Sequence, residues 1–364
     1  MNIVYLTEGA RIFARSLRAR LLGVKRYKGN ARQICSQIVK ECFNGRYFQT
    51  SRGHFCEFYT RDFGWCVDSL IELGYNKEIK KTLEYALDVF SKNGKVATTI
   101  SPSENAFDFP RYSVDSLPYL VRSLAVSNQK NIANKHKTFL NKEIKRFYNL
   151  VIDKKTGLVR KDKYFSSMKD HSLRKSSCYD NAFVWVLSES LKKFPFLINP
   201  FKKYDYKKLI FDNFWREEYF LDDLSGKKYV AGDANIIPFW LGLFDSKEMM
   251  KKAFNLMHKE GLDNPFPLKY GTLESKKQQN YSGYSIFAED YETNTIWMHI
   301  GLFYVKLLKQ IDKKGYQKYK KEYEKLILKH RNFLETFTKK GKPYKTFFYY
   351  SDESMLWAAN YLTL

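Results

Sequence analysis

Six short segments of this 364-residue chain concentrate side chains that could bind a polyhydroxylated ligand and cleave it. They read FYTRDFGW (58–65), DFPRYSVDS (108–116), SSCYDNAF (176–183), VAGDANIIPFW (230–240), AEDYETNTIWMH (288–299) and YYSDESMLW (349–357). Each mixes charged or aromatic residues and runs into an apolar stretch. The mixture suits a carbohydrate. Aromatic faces pack on the C–H faces of sugar rings, while Arg and carboxylates fix hydroxyls by charge-assisted hydrogen bonds. Two carboxyl groups flanking a glycosidic bond would supply acid and base. The candidates are Tyr59, Arg61, Asp62, Trp65, Arg111, Asp115, Tyr179, Asp180, Asp233, Glu292, Trp297 and Trp357. Each has a plainer reading. Asp62, Asp115, Asp180, Asp233 and Asp290 lie near expected helix starts, where Asp caps free N–H groups. Single tryptophans are commonly core residues.

The elements that must position these residues are helical. Ile79, Leu83, Leu87 and Phe90 recur at helical spacing, as do Phe183, Val186, Leu187, Leu191 and Phe194. Helix starts are expected near residues 31, 62, 77, 112, 130, 180, 206, 233, 246, 292, 315 and 352, about twelve in all. Val96–Ile100 could pair locally as a strand, but no βαβ rhythm appears. Long loops at 94–111, 153–179 and 260–291 precede every second helix and would collect at one end of a ring. The expected fold is therefore all-α, an (α/α)6 toroid of six helical hairpins. Lys-rich amphipathic helices such as 77–92 and 318–335 would form its outer ring. More uniformly apolar ones such as 233–244 and 294–308 would form the inner ring. One domain is expected, 1–364, with residues 1–30 as an extension packed on the barrel.

These residues resemble the inverting glycosidases of six-hairpin fold, a group that includes glucoamylases, trehalases, processing α-glucosidases and amylo-α-1,6-glucosidases. Tyr59-Thr60-Arg61-Asp62 before an apolar helix is similar to the Arg-Asp segment of glucoamylases, which holds hydroxyls of the terminal glucose. Tyr179-Asp180-Asn181-Ala182 resembles the segment whose Asp is the general acid in trehalases and processing α-glucosidases. YETNTIW (291–297) resembles a further Trp-containing segment of the family, with Thr293 and Asn294 in place of its usual residues. The order Glu335, Phe337, Gly341, Trp357 resembles the region that carries the general base, with Asp352 and Glu353 as rivals for that role. The resemblance runs from about residue 55 to the end and implies Asp180 as acid and Glu335 as base. It further implies a terminal, α-linked glucosyl residue as the unit released.

Composition limits the alternatives. Lys and Arg exceed Asp and Glu by 63 − 39 = 24, which admits polyanions as partners. The basic runs at 77–81, 202–208 and 313–325 are interleaved with Glu and Tyr, as solvated faces are, so nucleic acid is not the expected partner. Five cysteines without a C-x-x-C pair suit a reducing compartment, and a cytoplasmic protein is expected. Charges run through residues 1–23, where a signal peptide needs an apolar core. No membrane partner is expected. No H-E-x-x-H or close His/Cys set appears, so no metal or other cofactor is expected. Two same-fold alternatives stay open: a sugar epimerase using His54, His171 or His299 as proton shuttles, and a carbohydrate-binding protein without catalysis.

Overall fold

In the computed structural model, described for residues 3–279, 281, 283 and 289–364, the helical periodicity becomes fifteen helices among those residues. Part of the expected 260–291 loop, at 280, 282 and 284–288, lies outside the described residues. The first helix, α1 (Ile3–Leu22), lies outside the barrel. Six hairpins follow, each an outer helix and then an inner one. They are α2 (Ala31–Cys42) with α3 (Thr60–Glu72), and α4 (Asn76–Asn93) with α5 (Ser116–Val126). Next come α6 (Lys130–Lys135) and α7 (Lys137–Val151) with α8 (Cys178–Leu191), then α9 (Tyr206–Phe214) with α10 (Gly232–Trp240). The last two pair α11 (Lys247–Lys259) with α13 (Met298–Ile311), and α14 (Lys313–His330) with α15 (Ala358–Leu362). A short α12 (Leu273–Gln278) interrupts the connection before α13.

The inner ring closes. α3 packs on α5, α5 on α8, α8 on α10, α10 on α13, α13 on α15, and α15 returns to α3. This is the (α/α)6 toroid. Its two rings differ as their sequences require. α14 buries only Tyr316, Tyr319, Tyr323 and Ile327, a single stripe at spacings of three and four. α8 is buried nearly all round. Within it Phe183 packs between the rings of Tyr119 and Tyr179, at 4.3 and 4.7 Å. Cutting that ring to a methyl would cost ~3–5 kcal/mol. Close packing also explains Gly64, where a Cβ would sit 2.3 Å from the Tyr119 ring.

Three expected helix starts move. The helices expected near 112, 292 and 352 begin at Ser116, Met298 and Ala358. Backbone groups just before them bond across to other segments instead of along a helix. Ser113 bridges to Ser166 and Ser51 to Met355, while strand β6 (Ile296–Trp297) pairs with β7 (Thr336–Phe337). The local pairing expected at Val96–Ile100 narrows to β2 (Thr99–Ile100), flanked by β1 (Phe58–Tyr59) and β3 (Ala106–Phe107). A remaining hairpin, β4 (Trp215–Arg216) with β5 (Tyr219–Phe220), joins α9 to α10. No helix among the described residues is long and apolar enough to cross a membrane.

Candidate active site

A cavity of about 520 Å³, its open mouth included, lies where α3, α13 and α15 begin. Its wall brings together Tyr59, Arg61, Asp62, Trp65, Glu292, Trp297, Glu335 and Trp357, which the sequence singled out. It adds Phe55, Asp170, Tyr270 and Tyr291, which the sequence did not. The mixture of aromatic faces with a few convergent charged groups is that of a small-molecule site.

On one part of the wall, the short β1 feeds α3 and delivers Arg61 and Asp62 in the first helical turn. Arg61 does not pair with Asp62. Its Nε donates to Asp115 at 2.7 Å and its terminal nitrogens lie 3.3 Å from Asp170. Burial opposes the guanidinium charge, but Asp115 and Asp170 outweigh it and hold the proton firmly. Asp62 instead accepts from the Trp357 indole at 2.9 Å, and burial raises its carboxyl to about 7. Glu292 is clamped by the N–H groups of His171 and Ser172 at 2.8 to 2.9 Å. Trp65 stacks on His299, ring centroids 4.0 Å apart, and gives its N–H to Tyr119.

Glu335 stands in a neutral setting. α14 ends at His330, Arg331 takes a left-handed turn with φ 53°, and the chain enters β7 with Glu335 just before it. Pairing of β7 with β6 sets Glu335 beside Met298, whose N–H bonds the Glu335 carbonyl at 3.2 Å. The hydroxyls of Tyr291 and Tyr349 each donate to one carboxylate oxygen at 2.5 Å, and the Asp352 N–H adds a bond at 3.0 Å. No cation contacts it among the described residues. Burial, then the nearby Asp352 charge, raises its carboxyl to about 7. Glu335 is not a solvated charge at the end of a basic helix, since it is only 2% exposed.

Its rivals are occupied elsewhere. Asp352 accepts the N–H groups of His54 and Phe55 and the Ser51 hydroxyl, closing the turn that carries Phe55 to the cavity. Glu353 takes the Lys25 N–H and the Asn332 amide. Neither lines the cavity.

Five sequence candidates are not on the wall. Asp115 and Tyr179 lie behind Arg61, with the Tyr179 hydroxyl 2.7 Å from Asp115. Arg111 donates to the carbonyl of Asp170 at 2.7 Å and so shapes the loop that bears it. Asp233 belongs to a buried ion cluster, 2.9 Å from Arg174 and 3.1 Å from Lys169. Asp222 joins the same cluster at 2.8 Å from Lys169. Burial pushes the Asp222 carboxyl up, but Lys169 and Arg174 bring it down to about 2. Asp180 is buried beside Ser167, Ser177 and Arg174, and burial raises it to about 6. The capping reading fails for these carboxylates as well. Ser177 caps α8, and α3, α5 and α10 begin without a side-chain cap. Asp290 sits in a turn with φ 61°, paired to Lys276.

The sequence reading missed Asp170, Tyr291 and Tyr349. Tyr291 and Tyr349 stand inside segments already chosen, and Asp170 sits in the long 153–179 loop, so loop length was the available signal. Among the described residues no histidine lines the cavity, and none forms a metal-holding group with neighbouring His, Cys, Asp or Glu. The basic runs are dispersed over the outer helices α4, α9 and α14, with pairs such as Lys208–Asp212 and Lys325–Glu322.

The fold places the chain among the (α/α)6 toroids, and solved structures of glycosidases share it. A rhamnosidase from Klebsiella oxytoca with rhamnose bound superposes with a TM-score of 0.60 at 11% identity, over 93% of this chain and 65% of that one. A glycosidase variant in complex with glucose gives 0.62 at 10% identity, over 98% of this chain and 96% of that one. A mannosylglycerate hydrolase from Thermus thermophilus, in complex with Tris and D-glycerate, gives 0.60 at 10% identity over 91% and 98%. No protein-family model and no curated protein matches this chain by sequence.

Proposed function

We propose that this chain is a glycoside hydrolase that removes a terminal sugar residue with inversion of configuration. The observation that carries the reading is Glu335: a buried carboxyl on the cavity wall, held by two tyrosine hydroxyls and left without a cation among the described residues. Both oxygens are oriented, and burial makes the carboxylate a stronger base than an exposed one. In its ionised form Glu335 takes a proton from a water that attacks the anomeric carbon. Arg61, Asp62 and the aromatic wall of Trp65, Trp297 and Trp357 hold the sugar being released.

The proton donor must reach the leaving oxygen, which points to the mouth when a chain end is bound. Asp170 answers best. Its side chain is 33% exposed, whereas Asp62, Glu292 and Glu335 are all buried in the wall. We therefore assign the acid to Asp170, on the loop that leads to Asp180; to act as donor it takes up a proton and gives up its pairing with Arg61, which turns to the sugar hydroxyls. Asp180, with Arg174 and the Ser167 and Ser177 hydroxyls, supports that loop.

The reading extends to a glucoamylase- or trehalase-like preference for an α-linked glucosyl end and to work in the cytoplasm. The ring uses residues from Ala31 to Leu362, which supports one catalytic domain with residues 1–30 as an extension. A cavity wall without histidine among the described residues favours hydrolysis over epimerisation.

The test is a hydrolysis screen over glucosides, trehalose and α-glucans, with the first-formed anomer followed by NMR. Inverted product is expected, and a retained configuration sinks the mechanism. For the acid, Asp170→Asn should slow cleavage of a sugar leaving group by about 10²–10⁴-fold. The same variant should hardly affect a dinitrophenyl glycoside, whose leaving group needs no proton. If Asp180→Asn shows that pattern and Asp170→Asn does not, the acid belongs to Asp180.

A further inference from the structure

The helix α1 meets the barrel through a face that mixes polar residues with half-buried Tyr5 and Ile12. Glu8 and Ser16 are buried against the barrel, where Glu8 and Glu57 share Arg11, and the Ser16 hydroxyl accepts the Tyr350 N–H at 2.7 Å. At 100° per residue the opposite side carries Leu6, Ala10, Phe13, Leu17 and Leu21, one continuous apolar stripe. All five face solvent, Leu6 at 49% and Leu21 at 72% exposure. Phe347, 74% exposed, extends the stripe. Arg20 holds it there by donating to the carbonyls of Thr346 and Phe347, and the Phe13 ring meets that of Phe348 at 6.0 Å. An outward stripe of this extent does nothing for the barrel core, and patches of this kind mark interaction surfaces.

The charge beside the stripe selects its partner. Arg18 and Arg20 are exposed on either flank of it, and Arg26 and Lys28 follow, while Arg15 lies on the other side and donates to the Gly53 carbonyl. Glu8, the lone acid in residues 1–30, is buried. A second copy of the chain would bring these cations against one another, with no exposed acid in residues 1–30 to offset them. An anionic bilayer supplies both an acyl layer for Leu and Phe and headgroup charge for Arg. We infer that α1, with Phe347, docks this protein on an anionic lipid surface, lying in the interface without crossing it. The inference goes beyond the sequence expectation of no membrane partner, because which side of the helix stays exposed is set only by how the helix is mounted. Phe348 runs into Tyr349, so docking brings the loop that holds Glu335 to the membrane.

The test is cosedimentation of the full chain with vesicles of phosphatidylcholine alone or with roughly one third phosphatidylglycerol. Binding is expected to the anionic vesicles and to be about 10-fold weaker or more on neutral vesicles or in high salt. Phe13→Asp with Leu17→Asp should abolish it at unchanged melting temperature. Should that pair fail to fold, Leu21→Asp takes its place. Absence of binding to anionic vesicles overturns the inference, as does binding that survives these changes. So does a wild-type dimer that the double variant converts to monomer, since the stripe would then be a self-interface. Binding is read without any substrate, so its outcome is independent of the hydrolase reading.

Discussion

Two groups of buried carboxylates, joined by the loop that carries Lys169 and Asp170, are treated in opposite ways. Around Lys169 and Arg174, Asp222 and Asp233 are matched with cations at 2.8 to 3.4 Å. On the cavity wall, Glu335 and Asp62 are satisfied by neutral donors, two tyrosines for one and an indole for the other. Both groups are almost fully desolvated, yet Asp222 drops to about 2 while Glu335 and Asp62 rise to about 7. A buried charge with a partner holds an architecture; one without a partner is energetically poised to exchange a proton. The alternation Lys169–Asp170 joins the two, since one side chain anchors the loop in the ion cluster and the next reaches the cavity.

Four measurements break or sharpen this contrast. Glu335→Gln keeps the shape and removes the base, so kcat should fall by about 10³-fold or more, some 4 kcal/mol of transition-state stabilisation. Near-normal turnover would end the assignment. Asp222→Asn should hit stability instead, by ~3–5 kcal/mol in denaturant unfolding, because it leaves buried Lys169 and Arg174 to share the single carboxylate of Asp233. A loss below about 1 kcal/mol would mean the cluster is dispensable.

The third concerns pH. Glu335 binds its proton more tightly folded (about 7) than its ordinary 4.5, so its contribution is full below 4.5 and lost as pH rises through 7. Wild type should therefore lose on the order of 3 kcal/mol relative to Glu335→Gln between pH 4 and 8. Over the same range kcat should climb as the base ionises, so stability and turnover move in opposite directions. A flat stability difference across that range would show that the carboxyl is not desolvated. The smallest effect is the exposed control, Asp162→Asn at the Arg160 pair, which should leave the melting temperature unchanged.

Much of this was legible beforehand, and the misses share a cause. Arg61, Asp62, Trp297 and Trp357 were readable because each lies within a turn of an inner-helix start, and the helix carries it to the ring's end. Asp115, Asp180 and Asp233 stand at equivalent starts but are not on the cavity wall. Their side chains follow Arg61, Arg174 and Lys169, which arrive from remote segments. Asp170 was hidden because the loop before it has no period, and its position depends on Arg61 and Arg111, whose bonds span 109 and 59 residues. The hidden stripe of α1 is the same lesson in reverse: its spacing was present, but which side met the barrel was decided by Ser16 and Glu8.

Local sequence alone determined the helical hairpins, the apolar inner and Lys-rich outer rings, and the closed toroid, because period and burial preference are properties of contiguous residues. Tertiary structure decided which carboxylates found a cation and which were left to tyrosines and indoles. Desolvation and charge pairing act through space, and their sign for one side chain is set by neighbours from 14 residues away, as Tyr349 is from Glu335, to 295, as Trp357 is from Asp62.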